Sequence, residues 1–336
     1  MAASASRVPA IYRQILSSFP QRYLRMVFAY GSGVFQQKGH QDMSKNMLDF
    51  VFVVDKPAQW HKENMIQNSS HYSALKLLGP RYIAHFQDLY GARIYFNPLV
   101  SCQGRVIKYG VIKTESLIND LFDWETLYVS GRLHKPVMLI HRAEDNGSKE
   151  LSIAMTTNLN NAVHTALLLL DETFTEEQLY LTIAGLSYAG DFRMTFGEDK
   201  NKVQNIVIPN IENFRELYSS ILDSEEHLMW NKPSGTFEQN LHSSSQHHHL
   251  NLLPLMLQVG LVNYRNADGR MRDTEEVLRS FAYDSECRDV IKRCISGIVQ
   301  QSSLTQSVKG VLTAGLIKSL RYSYSKVKKM WKSKKR

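Results

Sequence analysis

The chain has 336 residues and a formal net charge of +8, with 43% hydrophobic and 10% aromatic residues. These are values of a globular protein that is long enough to bury the cores of two domains. Its three cysteines are too few for a disulfide framework or a cysteine-based metal set, and no apolar run approaches the ~20 residues of a membrane span.

The positive charge is concentrated at the C-terminal end. Twelve basic residues and no acidic residue follow Asp289, so the first 289 residues carry a net charge of −4. A segment of this kind binds phosphate groups, either of lipids or of nucleic acids.

The first 41 residues contain no Asp or Glu, and they begin with an Ala/Ser-rich stretch. This composition is typical of a mitochondrial transit segment, which we place at residues 1–15. Two alternatives remain open: a frayed N-terminus, or a first helix of the fold over Ile11–Phe19.

Two apolar runs predict neighbouring strands. Met26–Tyr30 stops at a glycine-containing turn, and Met47–Asp55 is rich in Val and Phe. The turn consists of Gly31, Ser32 and Gly33. A glycine turn that leaves a strand exposes N–H groups that can hold phosphate oxygens, and Ser32 adds a hydroxyl donor. The turn is therefore predicted to bind a nucleotide triphosphate; the alternative is an ordinary strand turn.

Asp49 is a carboxylate within an otherwise apolar strand, where burial is costly unless a partner is present. A phosphate-binding turn beside such a residue predicts a nucleotide–Mg²⁺ site with Asp49 as metal ligand. The alternative is a structural Asp49 that pairs with a buried arginine.

The remaining elements predict an α/β (α+β) fold. Residues 16–150 alternate strands with helices, including a helix over Trp60–Leu78 and a hairpin of Ile94–Val100 with Arg105–Lys113. Residues 151–230 are predicted to be a helical, winged-helix-like domain, with a capping box at Thr175 and Gln178. A polar linker over 231–250 and a helical region over 251–315 follow. In the linker, His247–His249 offer metal ligands, but a solvated segment is preferred.

Residues 316–336 predict an amphipathic helix. Its apolar face consists of Leu316, Leu320, Tyr324, Val327 and Trp331, and lysines fill the other positions. Such a helix lies in a membrane interface, where each basic residue contributes roughly 1 kcal/mol on an anionic surface. The alternative is a basic helix that docks on the protein through the same face.

The string Tyr30–Phe35 followed by Met47–Phe52 resembles the mitochondrial translocator assembly and maintenance family, which has a polymerase-β-type nucleotidyltransferase core. That family is the matrix-side phosphatidate cytidylyltransferase (CDP-diacylglycerol synthase). The resemblance extends from about Tyr12 to about Gly315, with further matches at Gly190-Asp191 and Lys309-Gly310.

The resemblance implies transfer of CMP from CTP to phosphatidic acid, with Mg²⁺ as cofactor. The products would be pyrophosphate and CDP-diacylglycerol for cardiolipin and phosphatidylglycerol synthesis. The enzyme would bind anionic lipids peripherally on the matrix side of the mitochondrial inner membrane.

One position departs from the superfamily pattern, which has a second acid two residues after the first. Here that residue is Val51. Asp55 shares a face with Asp49, but six residues of strand separate the two by roughly 20 Å. Asp55 is therefore predicted to belong to a turn, and the second metal ligand must come from elsewhere; Asp191 and Asp199 are the candidates.

The reaction needs charge neutralisation rather than a general base, because the attacking phosphate is already ionised. Lys108, in the middle of a strand, is predicted to be catalytic together with Asp49 and Asp191. Further nucleotide-binding residues are predicted at Arg132, Lys135 and Lys200. For each of these cations, the alternative is surface charge that faces solvent.

Two other functions remain open. An RNA-directed nucleotidyltransferase would use the same turn, with the basic tail on the RNA backbone; the single aromatic face of the tail disfavours a nucleic-acid partner. A non-catalytic assembly factor of the inner membrane would account for Val51 in place of an acid.

Overall fold

The computed structural model describes residues 8–37, 46–145, 147–196, 199–231 and 233–314. Five strands of the first half form a mixed sheet in the order β3-β4-β2-β1-β5. These strands are β1 (Leu24–Tyr30), β2 (Leu48–Val54), β3 (Ile94–Cys102), β4 (Arg105–Lys113) and β5 (Met138–Arg142). The two predicted strands and the predicted β3–β4 hairpin are confirmed.

The register of the sheet places three residues of interest side by side. β1 runs antiparallel to β2 and pairs Tyr30 with Asp49. β2 runs parallel to β4 and pairs Asp49 with Lys108. Because side chains alternate along a strand, Phe50 and Phe52 enter one core while Asp49 shares the opposite face with Val51.

Helices cover both faces of this sheet. They are α1 (Ala10–Ser17), α2 (Pro57–Gln67), α3 (Pro80–Leu89), α4 (Thr114–Asp123) and α5 (Ser130–Leu133). Tyr12 and Ile15 of α1 are buried in the core that contains Phe50, so this stretch is a helix of the fold.

The prediction of one helix over Trp60–Leu78 is wrong for the second half of this segment. The helix ends as α2 at Gln67 and continues as two short 3-10 helices, Ser69–His71 and Ala74–Leu78. Asn68 is the cause, because its side-chain amide donates to Ser18 O at 2.8 Å and to Asn64 Oδ1 at 2.8 Å. Polar side chains of this kind compete with the helix for backbone hydrogen bonds.

The second half of the chain is mostly helical and carries a small sheet. Its strands are β6 (Thr173–Thr175), β7 (Leu228–Asn231) and β8 (Thr236–Gln239), in the order β6-β8-β7. The helices are α6 (Gly147–Leu169), α7 (Glu176–Leu186), α8 (Phe192–Phe196), α9 (Lys202–Val207), α10 (Ile211–Leu222), α11 (Ser243–Asn251), α12 (Leu255–Arg265), α13 (Thr274–Phe281) and α14 (Cys287–Ala314). The predicted capping box of α7 is confirmed.

The structure differs from the expected linker over 231–250. This stretch contains β8 and α11, and the side chains of Phe237 and Leu250 belong to the core of the helical half. His249 is completely buried. One core therefore continues from α6 to α14. A few inward-facing residues anchor the polar stretch, and most of its other polar side chains are exposed or partly exposed.

The last helix, α14, returns to the first sheet. Ala92 N–H donates to Gln306 Oε1 at 2.9 Å, and Lys309 Nζ donates to Gln87 O at 2.8 Å and to Tyr90 O at 2.6 Å. Within the described residues, no helix is long and apolar enough to cross a membrane. Residues 1–7 of the predicted transit segment lie outside the described residues. So do the predicted membrane-binding residues Leu316, Leu320, Tyr324, Val327 and Trp331.

Candidate active site

The glycine turn after β1 lies directly against Asp49. Gly31 has a φ of +82°, and a Cβ added there would be 3.4 Å from Asp49 Oδ2. The turn is closed by the N–H groups of Val34 and Phe35, which both donate to Gly31 O at 3.0 Å. A Cβ on Gly33 would be 2.6 Å from Met47 O, so the turn also packs against the start of β2. The predicted phosphate-binding turn and the predicted metal ligand are thus neighbours.

Lys108 faces Asp49 rather than solvent. Its Nζ is 3.8 Å from Asp49 Oδ1, and the two side chains are 15% and 20% exposed. The ammonium also lies 4.2 Å from the centroid of the Phe96 ring, a favourable cation–π distance. Asp49 thus has a lysine partner, and its own side chain remains partly exposed.

Arg132 is held by two aromatic rings. Its guanidinium carbon lies 4.4 Å from the centroid of the Tyr30 ring and 5.4 Å from that of Tyr128. Tyr30 is the residue opposite Asp49 in the sheet, so this contact brings Arg132 to the same side of the sheet as the carboxylate.

The electrostatic potential beside Arg132 is strongly positive. Burial raises the pKa of Tyr128, but the positive charges of Arg193, Arg132 and Lys108 outweigh burial and lower this pKa to about 8. Stabilisation of the deprotonated tyrosine indicates that the surrounding side chains favour a negatively charged ligand.

Lys135 is buried in the same region, so the alternative of a solvent-facing surface charge does not hold for it. Its Nζ donates to Gly131 O and, at 2.8 Å, to Ser187 Oγ. Burial, and after it the charge of Arg132, lowers the pKa of Lys135 to about 7. The hydrogen-bond acceptors of this lysine are neutral oxygens, so an anionic ligand would be a better partner for its charge.

A cavity joins these residues to the second half of the chain. Its walls include Tyr128, Arg132, Lys135, Asp191 and Arg193, together with Ser302 and Ser303 of α14. The two serines and Tyr128 were not identified from the sequence, whereas Arg193 was a candidate beside Asp191. They lie on separate elements that only the tertiary packing brings together, and no local pattern marks them.

Asp191 lies in this cavity as the partner of an arginine. It is 4% exposed, and it accepts from Arg193 Nη2 at 2.6 Å and from Arg193 Nε at 2.9 Å. The predicted catalytic Asp191 therefore lies beside the cationic wall of the cavity, which consists of Arg132, Lys135 and Arg193. There its carboxylate holds the Arg193 side chain in place.

Asp199 and Lys200 precede α9. Asp199 accepts from the N–H of Asn201 at 3.0 Å and from the Asn205 side chain at 2.9 Å, and Lys200 is exposed. These hydrogen bonds join Asp199 to residues at the start of α9.

Two other sequence predictions concern the strand that carries Asp49. Val51 is completely buried in the core, on the same face of the sheet as Asp49. This position therefore favours an apolar residue. Asp55 accepts from Arg25 Nη2 at 2.6 Å and from Thr114 Oγ1 at 2.7 Å. Asp55 is thus structural, as the spacing predicts.

Comparison with known proteins identifies a family. The family model described as "Phosphatidate cytidylyltransferase, mitochondrial" matches residues 12–329. A relative of that name from Xenopus laevis is 49% identical over 327 residues, which are 97% of this chain and 96% of the relative. One from Mus musculus is 49% identical over 321 residues (95% and 94%), and one from Caenorhabditis elegans is 39% identical over 324 residues (96% and 99%).

Among solved structures, a nucleotidyltransferase-like protein from Exiguobacterium sibiricum 255-15 is 8% identical. The similarity covers 91% of this chain and 77% of that chain, with a TM-score of 0.25.

Proposed function

Because the chain belongs to the mitochondrial phosphatidate cytidylyltransferase family, we propose that the site around Asp49 and Arg132 transfers CMP from CTP to phosphatidic acid. The products are CDP-diacylglycerol and pyrophosphate. The main support for this location of the site is the close approach of Gly31 to Asp49, beside the cavity that Arg132 and Arg193 line.

The chemistry needs no proton transfer. An ionised oxygen of the lipid phosphate attacks the α-phosphorus of CTP, and the bond from that phosphorus to the pyrophosphate oxygen breaks. The obstacle is repulsion between two anionic substrates, so catalysis is positioning and charge neutralisation. Lys108, Arg132 and Arg193 supply positive charge around the site, Lys135 adds a further charge when it is protonated, and Asp191 holds Arg193 in place.

The residues present fit a magnesium ion. Mg²⁺ binds proteins through one or two carboxylates together with substrate phosphates. We propose Asp49 as the protein ligand, since its Oδ2 borders the glycine turn and its side chain is partly exposed. When bound, the ion would neutralise charge on the triphosphate. Lys108 balances the charge of Asp49 and is placed to contact the same phosphates.

The test is pyrophosphate release by the full chain with CTP, Mg²⁺ and phosphatidate vesicles. The variants are Asp49→Asn and, as a control for loss of one acid, Glu212→Gln, whose side chain is 83% exposed. We expect release that depends on phosphatidate, a loss of about 100-fold or more in Asp49→Asn, and wild-type rates in the control.

Two outcomes contradict the proposal. An Asp49→Asn protein that keeps most of its activity would place the metal site elsewhere. A folded, vesicle-bound wild type that releases no pyrophosphate with any nucleoside triphosphate would favour the non-catalytic assembly factor.

We further propose that the protein binds the matrix side of the inner membrane through its C-terminal end. Support comes from α14, whose last turns carry an exposed apolar row of Leu304, Val308 and Leu312, with exposures of 53%, 59% and 55%. The row has the i, i+4, i+8 spacing of one helical face and leads into the basic residues 316–336.

The lipid proposal is tested by vesicle flotation of Trp331→Glu beside Ser333→Glu. Both variants add the same charge, but only the first removes a ring from the predicted membrane face. We expect both to bind phosphatidate- or cardiolipin-containing vesicles less tightly than wild type, and Trp331→Glu to lose about tenfold more. Equal losses, or preferential retention on a polynucleotide resin, would contradict a lipid-binding helix.

A further inference from the structure

A second group of chemically active side chains lies in the helical half. It consists of His164, Glu225, His248 and His249, here called the histidine cluster. Each residue offers one ligand atom, and these atoms all lie within 4.8 Å of one another. His164 is on α6, Glu225 follows α10, and the other two are on α11.

The spacing within the histidine cluster is that of ligands around one ion. His164 Nδ1 is 3.1 Å from His249 Nδ1 and 3.5 Å from Glu225 Oε2. Two ligands in tetrahedral coordination, each with a bond of about 2.0–2.1 Å to zinc, are about 3.3–3.4 Å apart. An ion would therefore need only small movements of these three side chains.

Glu225 is already oriented for coordination. Its Oε1 accepts from the N–H of His227 at 3.3 Å, while its Oε2 is the oxygen near His164. A hydrogen bond to one oxygen of a ligating carboxylate is the usual way in which proteins fix the direction of the other.

The burial of the cluster also fits a metal site. His164 is 7% exposed and His249 is completely buried, whereas His248 is exposed and offers access from solvent. His164 Nδ1 and His249 Nδ1 face each other in this enclosed space, and neutral ring nitrogens are among the commonest ligands of metals.

We propose that His164, Glu225, His248 and His249 bind one divalent transition-metal ion, with Zn²⁺ as the best fit. Three imidazoles and one carboxylate suit zinc, and a set of four protein ligands is that of a structural rather than a catalytic site. The ion would join α6, α11 and the segment after α10.

The consequence of such an ion extends to the active site. α6 also carries Asn158, whose Oδ1 accepts from Trp124 Nε1 at 2.9 Å and lies 3.0 Å from His134 Nε2. His134 is the neighbour of the buried Lys135. An ion that fixes α6 at His164 would thus stabilise the helix behind the cationic wall, without contact with substrate.

The experiment uses the untagged full chain, stripped with EDTA and titrated with Co²⁺ or Zn²⁺. The variants are His248→Gln and His247→Gln. His248 is exposed, so its replacement leaves the core intact, and His247 lies on the same helix but faces Glu275 at 3.9 Å. Circular dichroism verifies that each variant is folded.

We expect one Co²⁺ per chain with the intense visible absorption of a tetrahedral site, and a melting temperature that rises with Zn²⁺. His248→Gln should lose about tenfold or more in affinity together with the absorption, and His247→Gln should match wild type. Absence of binding in the wild type, or unchanged binding in His248→Gln, would overturn the proposal. Binding that is lost in Asp49→Asn would also overturn it, by assigning the ion to the active site.

Discussion

A Cβ on Gly31 would lie 3.4 Å from Asp49 Oδ2, so the glycine turn and the carboxylate share one small space. Gly31→Ala should therefore abolish most activity, by about 10-fold to 100-fold, since the methyl group occupies the place that a phosphate or ion needs beside Asp49. The measurement is pyrophosphate release at saturating CTP, together with the melting temperature.

Gly104→Ala is the matched control for this prediction. Gly104 also has a positive φ of +71°, but a Cβ there would meet no atom of the described residues within 4 Å. Both variants carry the backbone strain of an L-residue at positive φ, about 1–2 kcal/mol, so both should melt at lower temperature. If Gly31→Ala loses no more activity than Gly104→Ala, the turn does not hold the substrate.

The lowered pKa of Lys135 predicts a pH dependence of substrate binding. In the free protein this pKa is about 7, so the side chain is charged below pH 7 and loses its charge above it. An anionic substrate binds the charged form, and KM should therefore rise above pH 7, by up to about tenfold per pH unit. Titration of Tyr128, with a pKa of about 8, adds negative charge and acts in the same direction.

The pH prediction is checked by the KM for CTP and for phosphatidate between about pH 6 and 9. Lys135→Met should raise KM below pH 7 and reduce the further increase of KM above pH 7. Lys113→Met, which removes a partly exposed lysine that pairs with Glu115, should leave the profile unchanged. A Lys135→Met profile parallel to that of wild type would show that another group titrates.

Local sequence patterns are sufficient for the centre of the site but not for its surroundings. An apolar run, a glycine stop and a second apolar run interrupted by one charge predict β1, the turn and Asp49, because these residues are neighbours in a sheet. The wall of Tyr128, Arg132 and Arg193 has no such pattern. Arg193 joins Tyr128 and Arg132 only because the helical half packs against the first half.

The segment 231–250 shows why composition misleads. Its serines and histidines predict a solvated linker, yet His249 and Leu250 are completely buried. These two residues are neighbours on the short helix α11 and anchor it in the core. Their contribution to the hydrophobic pattern of the sequence is hidden by the polar residues around them. The histidine cluster also draws on His164 and Glu225, far away in sequence, so spacing in the sequence does not indicate it.

Asp191 and Asp199 are the two candidates for the second metal ligand, and their substitution by asparagine is predicted to have different effects on activity and stability. Asp191→Asn leaves Arg193 without its buried carboxylate partner. It should reduce kcat/KM by about tenfold or more and destabilise the fold by about 1–3 kcal/mol, because Arg193 is 30% exposed and recovers part of its hydration. Asp199→Asn keeps one acceptor and replaces the oxygen that accepts from the Asn205 side chain, which should cost less than about 1 kcal/mol and leave activity within about threefold of wild type.

Both variants are measured by steady-state kinetics at several Mg²⁺ concentrations and by urea unfolding. An Asp199→Asn protein that needs far more Mg²⁺ would identify Asp199 as a metal ligand. An Asp191→Asn protein of normal activity would show that Arg193 does not contact the substrates.

The contact of Lys309 with the end of α3 predicts a large effect on stability. Lys309 is 2% exposed, and its Nζ donates to Gln87 O and Tyr90 O. Lys309→Met leaves these carbonyls without their donor, which should lower the free energy of unfolding by about 1–3 kcal/mol, since unpaired buried acceptors are costly. Lys292→Met, on the same helix but 55% exposed and 3.6 Å from Asp289, should cost less than about 0.5 kcal/mol. Urea unfolding of the two variants measures the difference. Equal stability of the two proteins would mean that the end of α14 does not hold the two halves of the chain together.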